Sequence, residues 1–100
     1  MEITKISSAL SNKTRLEVMR WLKYPDQYFT PHVEVEGFEM GVCVGKIHEK
    51  SGLSQSTISH YLSILQNAEL VIATRIGKWT YYKPNEITIK NYLMALKSNI

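Results

Sequence analysis

Gly52 to Val71, GLSQSTISHYLSILQNAELV, reads as a helix with two unlike faces, and the fold follows outward from it. Ser54 suits the position just before a helix, where a short side-chain oxygen accepts from a free backbone N–H. From that cap the spacing predicts a helix to about Ala68. Ile58, Tyr61, Leu62 and Leu65 recur at i, i+3, i+4 and i+7 and form one apolar stripe. Gln55, Ser56, Ser59, His60 and Ser63 fall largely on the other side. None of these is acidic, so none would be repelled by phosphate. Gln55 has the shape to pair with N6 and N7 of adenine, and the serines can bond to base edges or phosphates. Thr57 offers a methyl or a hydroxyl, and His60 a ring nitrogen. Free N–H groups beside Ser54 favour a phosphate. An ordinary polar surface helix would look alike on these residues alone, so the neighbouring segments decide.

Upstream, Val44, Ile47 and His48 begin a helix that stops near Ser51 and Gly52, where glycine suits a C-terminal cap. Only Gly52 and Leu53 lie between that helix and the Ser54 cap. A turn this short between two helices is the helix-turn-helix arrangement. Downstream the period changes. Val71–Arg75 and Trp79–Tyr82 are rich in β-branched and aromatic residues, with Ile76, Gly77 and Lys78 between them. This predicts a β-hairpin whose tip carries Arg75 and Lys78. Such a tip can lie on the backbone or in the minor groove of a duplex, although exposed hairpins also carry charge for solubility. Trp79, Tyr81 and Tyr82 read as packing residues rather than stacking platforms for single strands.

Ile3, Ile6 and Leu10 predict a first helix over residues 3–10. Asn12 caps a second, from Lys13 to about Lys23, with Leu16, Met19, Trp21 and Leu22 at its apolar positions. Pro25 and Pro31 interrupt the chain, and residues 25–41 make a long connection holding Tyr28, Phe29 and Phe38. Within it, His32 to Glu36 alternates as a short strand would. Pro84 ends the hairpin, and Asn85 caps a last helix bearing Ile87, Ile89, Tyr92, Leu93, Leu96 and Ile100. The predicted order is α-α-α-α-β-β-α. That is a mainly α protein with a β-hairpin wing, a winged helix-turn-helix, expected as one domain over residues 1–100.

The formal net charge of +3 permits a nucleic-acid partner without requiring one. Its placement says more. Between Tyr24 and Gly41 the only charges are Asp26, Glu34, Glu36 and Glu39, whereas Lys50 to Pro84 carries Lys50, Glu69, Arg75, Lys78 and Lys83. The single cysteine, Cys43, leaves no intramolecular disulfide to form and fits a reducing cytoplasm. The opening MEITKISSAL lacks the basic start and long apolar run of a signal peptide, and no stretch approaches the roughly 20 apolar residues of a membrane span. A cytoplasmic protein is expected. No glycine-rich phosphate loop, paired carboxylate motif or nucleophile elbow appears, so neither an enzyme nor a cofactor is expected.

These residues resemble the ArsR family of bacterial winged-helix transcription regulators. Ala9 to Leu16, ALSNKTRL, is similar to the family's A-L-x-x-x-T-R-L opening. Leu53–Ser59 with Tyr61–Leu65 resembles its reading helix, Ala68–Val71 the segment after it, and Gly77–Tyr82 its wing. The resemblance implies a homodimer that binds an operator, double-stranded and pseudopalindromic, and represses transcription. It implies a dimer contact on the first and last helices, here Ile3, Ile6, Leu10, Ile89, Leu93 and Leu96. The period of those residues independently predicts buried faces, which a monomer's own core would also explain.

Many relatives release DNA on binding a metal, one site following E-L-C-V-C-D-L around the third helix. Here Cys43 stands at the first cysteine, Gly45 at the second and Lys46 at the aspartate. A second family site takes Asp, His and Glu from the last helix, whereas Asn85–Ile100 holds only Glu86. His32, His48 and His60 show no ligand spacing, so no metal is expected. Two alternatives remain beside a metal-free repressor: a metal- or thiol-responsive sensor using Cys43, with an unknown small-molecule or redox effector, and a winged helix that binds protein rather than DNA.

Overall fold

A computed structural model describes residues 2–100. The elements are α1 (Ile3–Leu10), α2 (Lys13–Lys23), α3 (Pro25–Tyr28), β1 (Val42–Cys43), α4 (Val44–Ser51), α5 (Gln55–Asn67), β2 (Val71–Ile76), β3 (Trp79–Pro84) and α6 (Glu86–Asn99). The predicted helices and hairpin are all present, and two small elements join them. Pro25 sits in the first turn of α3, where its missing N–H costs nothing. β1 pairs antiparallel with β3 through Val42–Tyr82 and Cys43–Tyr81, so the hairpin becomes a three-stranded sheet ordered β1-β3-β2.

Local chemistry sets the helix ends. Asn12, Ser54 and Asn85 each accept from the backbone N–H three residues on, so all three predicted caps form. Gly52 closes α4 in the left-handed conformation at φ 68°. At the end of α5 the N–H groups of Glu69 and Leu70 donate to the carbonyls of Gln66 and Leu65. That paired pattern requires a left-handed residue, and Glu69 supplies it at φ 60° without being glycine. It turns the chain sharply from α5 into β2.

The core gathers Val18, Trp21 and Leu22 of α2, Ile47 of α4, Ile58, Leu62 and Leu65 of α5, Leu70 and Val71, with Ile6 and Tyr92 from the terminal helices. Leu16, expected on the apolar face of α2, is instead 55% exposed. At about 100° per residue it lies roughly 200° from Val18, on the opposite side of the helix. Tyr61, expected in the buried stripe of α5, is only half-buried.

The alternating segment His32–Glu36 is not a strand. Side chains hold it down instead of a ladder. His32 is buried, with Nε2 accepting from the Cys43 N–H at 3.2 Å and Nδ1 3.0 Å from the Gly37 carbonyl oxygen. The hydroxyl of Tyr81, on the central strand, donates to Glu34 Oε1 at 3.2 Å. Gly41 then passes so close to β3 that a Cβ would lie 2.3 Å from the Tyr82 carbonyl oxygen. Among the described residues no helix is long and apolar enough to cross a membrane.

Candidate nucleic-acid interface

α4, a turn of three residues and α5 form the helix-turn-helix, and the apolar stripe of α5 fixes which side faces outward. Gln55, Ser56, Ser59, His60 and Ser63 are all exposed, along with Ser54. They differ in what they have left to offer. The Ser54 hydroxyl accepts from the Thr57 N–H at 3.2 Å and donates to Thr57 Oγ1 at 2.8 Å. Ser54 and half-buried Thr57 are thus engaged with each other at the cap, while the cap leaves the N–H groups of Gln55 and Ser56 open. Ser63 donates its proton to the Ser59 carbonyl at 3.0 Å, so in this rotamer it retains only acceptor capacity. Gln55, Ser56, Ser59 and His60 make up a carboxylate-free polar face at the start and middle of α5.

The hairpin joins β2 to β3 with Ile76 opposite Trp79, leaving the two residues Gly77 and Lys78 as its loop. Gly77 takes φ 62°, as a type II′ turn demands at its first central position. Arg75 Nε donates to the Gly77 carbonyl at 3.1 Å and closes the tip. The Lys78 ammonium lies 5.2 Å from the centre of the Trp79 ring. Both cations are exposed. Lys50, on α4, is drawn into packing: its ammonium sits 5.4 Å from the Trp21 ring and 5.2 Å from that of Tyr28.

Two residues matter more than their sequence reading indicated. Asn12 appeared only as a cap and Arg15 only as part of a motif, yet both reach Tyr61 on α5. A local signal exists only for the contact with α1: an arginine three residues past an Asn cap can fold back onto the end of the preceding helix.

Of the six residues assigned to a dimer contact, Ile6 lies in the chain's own core, and Ile3, Leu10, Ile89 and Leu96 pack partly against it. Leu93 is 56% exposed, beside exposed Met94 and Ile87 on α6. Leu16 and Leu93 also line an open, largely apolar groove of about 440 Å³ between α2 and α6.

The metal-site positions do not fit a metal. Cys43 is buried, Gly45 has no side chain, and the Lys46 ammonium donates to Thr30 Oγ1 at 2.9 Å where the family pattern has a carboxylate. Among the described residues no group of three or more His, Cys, Asp or Glu could hold an ion.

Comparison with known proteins agrees with this geometry. A family model described as bacterial regulatory protein, arsR family, matches residues 42–73, which span β1, the helix-turn-helix and the start of β2. The HTH-type transcriptional regulator YbzH of Bacillus subtilis (strain 168) is 46% identical over 100 residues, covering the whole of both chains. The transcriptional repressor SdpR of the same organism is 27% identical over 89 residues, covering 89% of this chain and 82% of that one. A homodimeric winged helix-turn-helix DNA-binding domain from Mycobacterium bovis superposes with a TM-score of 0.68 at 22% identity, covering 97% of this chain and 77% of the other. The protein belongs to the ArsR family of winged helix-turn-helix, DNA-binding transcriptional regulators.

Proposed function

We propose that this regulator is a homodimeric repressor that reads a pseudopalindromic operator through α5 and releases it on a signal other than a metal. The observation that carries the reading is the polar face of α5. Gln55, Ser56, Ser59 and His60 stand exposed and free of carboxylates on a helix whose opposite side is locked into the core. Gln55 is the base-reading residue, bidentate to adenine in the major groove. Ser56, Ser59 and His60 divide between base edges and phosphates. Ser54 and Thr57 orient the helix start and present backbone N–H groups to a phosphate. Ser63, an acceptor only, faces the amino group of a base. Arg75 and Lys78 rest the wing on the backbone.

The dimer is formed through α1 and α6, with Ile3 and Leu10 facing Ile89, Leu93 and Leu96 at the seam and Ile6 supporting it from the core. Leu16, Ile87, Leu93 and Met94 are apolar and exposed, and a second copy covers them. The M. bovis domain is described as homodimeric and SdpR as a repressor, which supports both parts of the reading.

The test is to incubate the purified protein with fragments of its own genome, recover what it retains and sequence it. The expected outcome is a recurrent inverted repeat whose half-sites lie one helical turn, about 10 base pairs, or a multiple apart. Retention of fragments without a shared sequence would refute the reading. Transcription from a promoter carrying the repeat should fall when the protein is present.

A further inference from the structure

Arg15 does not face the exposed side of α5, yet it joins its own helix to two others. It lies on α2, half-buried, just past the turn from α1. Its Nε donates to the Ala9 carbonyl at 2.7 Å and its Nη2 to the Ser8 carbonyl at 3.3 Å. Both are among the last carbonyls of α1; that of Ser8 also accepts from the Ser11 N–H and hydroxyl, and a cation there complements the helix dipole. The other side of the same guanidinium lies over Tyr61 of α5, with Cζ 5.1 Å from the ring centre. Asn12 completes the joint. Its Oδ1 accepts from the Arg15 N–H at 2.9 Å, and its Nδ2 reaches the Tyr61 hydroxyl at a long 3.5 Å.

We infer that Arg15 is a positioning residue for DNA reading, setting the orientation of α5 relative to α1 through Tyr61. This rests on the reading role proposed for α5. The chemistry explains why an arginine is used. Only a planar guanidinium can spend its edge on two carbonyls and its face on a ring; a lysine ammonium has neither the fork nor the plane. The joint also lies where rotation of α5 has most consequence. Tyr61 adjoins His60 and follows Ser59, both on the exposed polar face. The buried stripe of Ile58, Leu62 and Leu65 holds α5 against the core by contacts that have no direction, whereas the Arg15 joint is directional. Because α1 also belongs to the proposed dimer seam, the joint ties the angle of each reading helix to the partner copy.

The test uses the full chain, the best-retained genomic duplex and a random duplex of equal length. The variants are Arg15→Lys, Tyr61→Leu, Tyr61→Phe and the double variant Arg15→Lys with Tyr61→Leu. The quantity read is the ratio of affinities for the two duplexes, which a loss of folded protein leaves unchanged because it lowers both alike. Arg15→Lys and Tyr61→Leu should each reduce that ratio roughly tenfold, and the double variant no further. Tyr61→Phe, which keeps the ring, should retain most of the ratio. The dependence of random-duplex affinity on salt should be unchanged in all of them, because no phosphate contact is removed. An unaltered ratio in Arg15→Lys, or losses that simply add in the double variant, would overturn the proposal. A salt slope lowered by about one in an added, charge-removing Arg15→Gln variant would overturn it too, by making Arg15 a phosphate contact. Failure of the unsubstituted chain to prefer any duplex would remove the reading role itself, and the positioning role with it.

Discussion

Gln55 stands at the first turn of α5, one residue past the cap, and its proposed role needs only its side chain to reach a base edge. Ser54, its neighbour, is occupied by Thr57. The two adjacent residues therefore part in role: one builds the helix end, the other projects from it. Gln55→Ala should cost about 1–3 kcal/mol on the best operator and almost nothing on random duplex, with an unchanged melting temperature. Competition gel shifts measure this directly, and equal losses on both duplexes would remove Gln55 from base reading.

Among the elements, the wing and the long connection between α3 and β1 respond to different variables. The proposed wing contact would respond to salt. Lys78→Ala should weaken binding to all sequences and lower the salt slope by about one, because a phosphate contact releases counterions wherever it is made. A normal slope in that variant would place the Lys78 ammonium on Trp79 rather than on DNA. The connection responds to acid. The backbone N–H of Glu34 chiefly, and then the Tyr81 hydroxyl, hold the Glu34 carboxyl below its ordinary value, against an opposing effect of desolvation. A carboxyl lowered by folding contributes stability that is complete above its unfolded value and is lost as pH falls through its folded value. Glu34 is exposed, so the effect is small. Wild type should melt slightly above Glu34→Gln at neutral pH, and the difference should close as the pH falls below the ordinary carboxylate range. A gap that persists in strong acid would show that the carboxylate does not hold the connection.

For the whole molecule, the proposed dimer would have to present two reading helices together. An inverted repeat with half-sites about 34 Å apart requires a rigid seam as well as a well-oriented α5. Leu93 offers the cleanest probe because it is 56% exposed in the single chain, so a change there spares the core. Leu93→Asp should shift the protein towards monomer in sedimentation or light scattering and weaken operator binding by about tenfold or more. It should leave the melting of the monomer nearly unchanged. A variant that remains dimeric would move the seam away from this part of α6.

The longer helices, their caps and the hairpin were legible in the chain alone because each is decided within a few residues, whereas α3 and β1 were not. Asn12, Ser54 and Asn85 cap by bonding three positions ahead, Gly52 and Gly77 take conformations that other residues resist, and a period of 3.6 or 2 shows itself in any short window. The polar face of α5 followed from the same periodicity, whereas the lack of ligands at Gly45 and Lys46 followed only from the resemblance to the family's metal-site pattern. What lay beyond local reading involves residues far apart in sequence. His32 meets Cys43 and Tyr81 meets Glu34 only once the connection folds across the sheet, which is why an alternating segment there did not become a strand. Leu16 and Val18 are both apolar, and only the packing of α2 against the rest of the core decided which one is buried. Arg15 is the clearest case. Its charge and spacing are visible in the sequence, but its contact with Tyr61 spans α2 to α5 and depends on the crossing of helices that no local rule specifies.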